Sequence, residues 1–98
     1  MSIENPWPEY DFPLEGSELR PSEVNPETVI VGYGTQNAIE PLMERWSSAM
    51  SKGGWQEVSR LEGETNTPVM HLMFRREGSL AQLTFEKVPS GVDVAVSL

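Results

Sequence analysis

The sequence predicts an α+β fold, a two-layer sandwich with one helix packed on a mainly antiparallel sheet of four to five strands. Three observations predict it. Apolar residues recur at spacings of three and four from Ile39 to Met50, the period of a helix with one buried face. That stretch runs into Gly53-Gly54-Trp55, a helix-ending signal. Beyond Trp55 the period changes to two, as in half-buried strands. Residues 28–98 therefore read as β-α-β-β-β-β, and residues 1–27 as an extended, acidic, proline-rich arm.

The arm holds five of the eight prolines, Pro6, Pro8, Pro13, Pro21 and Pro26. Each fixes its own φ and biases its predecessor toward extended backbone, which disfavours a helix. Trp7, Tyr10, Phe12 and Leu14 are large apolar anchors in this stretch. A purely solvating linker is poor in aromatics. The anchors suit either an exposed part of the chain's own sheet or a partner's groove.

Thr28 to Tyr33 is β-branched and apolar, a first strand. Gly34-Thr35-Gln36-Asn37 follows as a turn, with Asn37 placed to cap the helix and Pro41 confined to its beginning. Ile39, Leu42, Met43, Trp46, Ala49 and Met50 form the buried stripe. Further strands are expected near 55–62, 68–76, 79–87 and 91–97, separated by the loop 62–68, a tight Glu77-Gly78 turn and Pro89-Ser90-Gly91. Met70, Leu72 and Phe74, then Ala81, Leu83 and Phe85, then Val92, Val94 and Val96 should face the helix. The opposite sheet face presents Val69, His71, Met73, Leu80, Gln82, Thr84, Asp93, Ala95 and Ser97, with little charge at its centre. A fully solvated face carries more Lys and Glu than this.

A chain of 98 residues leaves room for one small domain. It has no cysteine, which excludes a disulfide framework, a thiolate zinc site and a cysteine nucleophile. The net charge of −8 is uneven: residues 1–27 carry seven acids against one base, and residues 28–98 eight against six. Such a balance argues against nucleic acid, whose phosphates need basic side chains. No apolar run approaches the length of a membrane span. The first residues lack the basic and apolar regions of a signal peptide. The expectation is a cytoplasmic chain if Met1 is native, and a periplasmic or exported fragment otherwise.

The chemical motifs are sparse. Gly32-Tyr33-Gly34 precedes the helix as the start of a dinucleotide fingerprint would, but Asn37 stands where the third glycine belongs. The glycines read as turn residues. His71, the single histidine, has apolar strand neighbours and reads as a half-buried strand residue. Glu62 and Glu64 flank Gly63 without the oxygen-rich repeat of a calcium loop. No catalytic residue, metal ligand or cofactor-binding residue is assigned, and no cofactor is expected.

Phe12-Pro13-Leu14-Glu15-Gly16, the Val29 to Tyr33 strand, the helix closing in Gly54-Trp55, and Phe85-Glu86-Lys87 followed by Val92 to Val96 occur in this order. In this order of signals the chain resembles a widespread type of small bacterial β-α-β-β-β-β domain. The resemblance covers about residues 12–98 and rests on structural motifs. It implies the mature part of an exported or lipid-anchored protein and carries over no catalytic residue. The chain departs from it in lacking an export signal and an anchoring cysteine.

The function expected is that of a non-enzymatic binding module. It would dock a protein partner, which a basic surface would suit, through the acidic aromatic arm (Trp7, Tyr10, Phe12, Leu14) or the uncharged sheet face (Val69, His71, Met73). An acidic inhibitor or immunity-type protein is one form of it. The alternatives are a structural, self-assembling subunit such as a homodimer, and a carrier of a small ligand.

Overall fold

The computed structural model describes residues 4, 6–25, 27–34, 38–62 and 69–98. It has one helix, α1 (Ile39–Lys52), on a six-stranded antiparallel sheet. The strands are β1 (Glu18–Pro21), β2 (Val29–Tyr33), β3 (Gln56–Glu62), β4 (Val69–Arg76), β5 (Ser79–Val88) and β6 (Gly91–Ser97), in the order β1-β2-β6-β5-β4-β3. The α+β arrangement is as the sequence predicts, with one correction: six strands rather than four to five. The extra strand, β1, lies inside the stretch 1–27 and pairs with β2, Leu19 opposite Val31. The boundary at residue 27 thus falls between two paired strands of one sheet.

Alternation sets the inner face. Leu72 and Phe74 of β4, Ala81, Leu83 and Phe85 of β5, and Val92, Val94 and Val96 of β6 are buried beneath Ile39, Leu42, Met43, Trp46 and Met50 of α1. Each large side chain so buried contributes about 1.5–3 kcal/mol.

The helix is bounded by local chemistry. Ala38 stands at the N-cap in extended backbone (φ −139°), while Asn37, the cap expected from sequence, lies outside the described residues. At the other end Gly54 adopts φ 88°, its amide donates to the Ser51 carbonyl, and the Trp55 amide donates to the Met50 carbonyl. This pair of bonds is a Schellman motif, and both residues of its longer bond, Met50 and Trp55, are buried. Glu77 (φ 48°) and Gly78 (φ 85°) make the two-residue β4–β5 turn between Arg76 and Ser79. Of the loop expected at 62–68, Glu62 closes β3 and residues 63–68 lie outside the described residues.

The arm joins the helix layer rather than the free sheet face. Trp7 and Phe12 are 8% and 7% exposed and belong to the central core. The Phe12 ring lies 5.1 Å from Trp46, and Tyr10 stacks on Phe12 at 5.1 Å. The arm therefore runs beside α1, from the Gly53-Trp55 end toward β2.

Candidate functional site

Two surfaces merit comparison: the seam where arm meets helix, and the uncovered face of the sheet. At the seam, the Tyr33 hydroxyl projects from β2, donates to the Pro13 carbonyl and accepts from Trp46 Nε1 at 3.1 Å. Burial pushes its pKa up to about 12. Arg76 of β4 donates to the Tyr10 hydroxyl at 2.9 Å, which ties the arm to the end of β4. Trp55 Nε1 is buried with no hydrogen-bond partner among the described residues.

Along this seam an open groove of about 630 Å³ runs between residues 11–15 and the Pro41–Lys52 side of α1. Asp11, Glu15 and Glu44 share its walls with Arg45 and Lys52. The mixture of signs favours neither an anion nor a cation.

The uncovered face is built by register. Ile30, Ala95, Thr84, His71 and Leu61 lie side by side across β2, β6, β5, β4 and β3. Ser97, Gln82, Met73 and Ser59 form the next row. His71 is half-buried, its Nδ1 3.2 Å from Thr84 Oγ1, so strand pairing alone accounts for its surroundings. Val69 and Met73 are half-buried on the same face, while Leu61 and Leu80 stand 57% and 55% exposed beside them.

Charge lies at the two ends of this face and at its β1 margin, where Arg20 stands opposite Ile30. Glu18, Asp93 and Glu86 share the row that ends in Val69. Arg75 stands opposite Leu80 at the far end. Arg20 reaches over Gly32 to pair with Asp93 at 2.6 Å. A Cβ at Gly32 would come within 3.3 Å of both partners, so the missing side chain makes room for the pair.

The sequence-predicted residues thus separate into two groups. Trp7 and Phe12 are core, Tyr10 and Leu14 are half-buried against it, and all four lie on the helix side. Val69, His71 and Met73 come together on the opposite side, with Ile30 and Leu61 added by strand pairing. The alternation of β2 and β3 signals both additions, once the strand register is known.

Among the described residues no group of three or more His, Asp or Glu is placed to hold a metal ion. Thr35-Gln36-Asn37, which would complete the dinucleotide-like turn, and the Gly63-Glu64 pair lie outside the described residues. No helix among the described residues is long and apolar enough to cross a membrane. No protein-family model, curated protein or solved structure was found to match this chain.

Proposed function

We propose that this chain is a non-enzymatic binding module that docks a protein partner through the uncovered face of its sheet. The observation that carries the reading is the Ile30–Ala95–Thr84–His71–Leu61 row, free of charge and on the side away from helix and arm. A face whose middle is depleted of charged residues and whose rim carries them has the anatomy of an interaction surface. The burial of Trp7 and Phe12 supports this face over the arm as the reader, because those rings are already engaged inside the fold.

The test compares three baits in one lysate: the native chain, Ala95→Arg at the centre of the face, and Glu44→Arg on the exposed side of α1. Expected is a stoichiometric partner held by the native chain and by Glu44→Arg and lost from Ala95→Arg, with all three melting cooperatively. A partner held equally by all three would overturn the reading.

A further inference from the structure

We infer that the occupant of the uncovered face is a second copy of this chain, packed face to face across a two-fold axis that runs across the strands. The inference rests on the proposed reading of that face and names its partner. Three observations on different scales support it.

The first is charge. Glu86 and Arg75 are exposed residues at opposite ends of the face, on neighbouring strands. Arg75 is level with Leu80, six positions from Glu86 along β5, so the two charges stand about 20 Å apart and cannot pair within one chain. The mid-line between them passes between the His71 and Met73 rows. An axis along that line lays the Glu86 end of one copy over the Arg75 end of the other, twice. Each strand then lies over its own copy: His71 comes over Met73, Val69 over Arg75, and Glu86 over Leu80 with Arg75 on the adjoining strand. Like-charge ends would meet only if the axis ran along the strands.

The second is that both sheet edges are guarded. β1 is four residues long and ends in Pro21. β3 is broken by a bulge between Glu57 and Ser59 and carries the Glu57–Arg60 ion pair at 2.9 Å. Short, bulged and charged edges resist strand addition. The face is left as the surface through which copies can meet.

The third is area. Four strands, β2, β6, β5 and β4, at ~4.8 Å spacing and of ordinary length present roughly 500 Å² per copy, or ~1,000 Å² over both. That reaches the ~1,000 Å² a specific interface should clear and falls short of the size of an obligate dimer interface.

Sedimentation equilibrium of the full chain between about 1 and 200 µM tests this directly. Expected is a shift from 11.0 kDa toward twice that mass. Glu86→Arg and Arg75→Glu should each weaken association at least tenfold, and an equimolar mixture of the two should restore it, because the mixed pair regains opposite charges at both contacts. Both residues are exposed, so folding is not at stake. A native chain that stays at 11.0 kDa at 200 µM, or a dimer indifferent to both reversals, would overturn the inference. If a different protein is nevertheless lost from Ala95→Arg, the binding reading stands and the second copy alone is refuted.

Discussion

Tyr33 shows how much of this fold depends on one polar atom. Its hydroxyl donates to Pro13 and accepts from Trp46, joining β2, arm and helix at a buried point. Tyr33→Phe removes both bonds and leaves Trp46 Nε1 and the Pro13 carbonyl without this partner, a loss of about 1–3 kcal/mol by urea unfolding. The same group predicts a pH effect. Its folded pKa, raised to about 12 from 10.0, means that the unfolded chain gives up the proton first. The stabilisation is therefore complete below pH 10 and is lost as pH rises from 10 to 12. Native and Tyr33→Phe unfolding curves should converge over that interval. The two tryptophans of the helix end differ in the opposite sense. Trp46 uses its indole N–H, whereas that of Trp55 is buried and unpaired among the described residues. Trp55→Phe sheds an unsatisfied donor along with some packing, so it should cost less than Trp46→Phe in the same assay. The sequence marks both tryptophans as core anchors through their spacing around Gly53-Gly54. It gives no sign that Tyr33 meets Pro13, because that bond depends on where the arm folds back.

At the scale of elements, the glycines at two turns carry different loads. Gly54 ends α1 at φ 88°, and a Cβ there would meet only the Arg76 side chain, at 3.5 Å. Gly54→Ala therefore costs backbone strain alone, about 1–2 kcal/mol. Gly91 begins β6 at φ 151°, and a Cβ there would stand 2.0 Å from the Tyr33 carbonyl oxygen, which cannot move without disturbing β2. Gly91→Ala should cost about 3 kcal/mol or more and broaden the unfolding transition, a difference that guanidinium titration of the two variants would resolve. The same elements show what sequence can reveal. The bounds of β4, β5 and β6 follow from alternation, because each has one face under α1 and the other less buried. The Gly53-Gly54 stop follows from local chemistry. β1 was not legible: Glu18-Leu19-Arg20-Pro21 has a single inward apolar residue, and its strand character comes from pairing with β2 and from the Arg20–Asp93 bridge. The candidate face was legible as an alternation with little charge. Its continuity through Ile30 and Leu61 was not, since β2 and β3 sit beside β6 and β4 only in the folded sheet.

For the whole molecule, the arm decides whether the helix layer is complete. Trp7 and Phe12 are buried on the same side as α1, and Tyr10 stacks between Phe12 and the Trp55 end. At ~1.5–3 kcal/mol for each large buried side chain, Trp7 and Phe12 together contribute roughly 3–6 kcal/mol. A domain of this length holds only about 5–15 kcal/mol in total. Removing residues 1–16 while keeping β1 should therefore lower the urea midpoint by about a third or more. Trp46 and Trp55 should then emit at longer wavelength as water reaches the surface the arm had covered. Far-ultraviolet dichroism should change little at low denaturant, because β1 to β6 and α1 all lie beyond the cut. An unchanged midpoint with unchanged tryptophan emission would mean that the arm rests on the fold without supporting it, and would return Trp7, Tyr10, Phe12 and Leu14 to the role of partner-binding residues. The predicted loss instead assigns the arm to the core and leaves recognition to the opposite side. Charge changes in the seam, such as Asp11→Asn with Glu15→Gln, should then alter neither the mass in solution nor partner capture, because those groups line the groove against α1 on the side of the sheet away from the proposed interface.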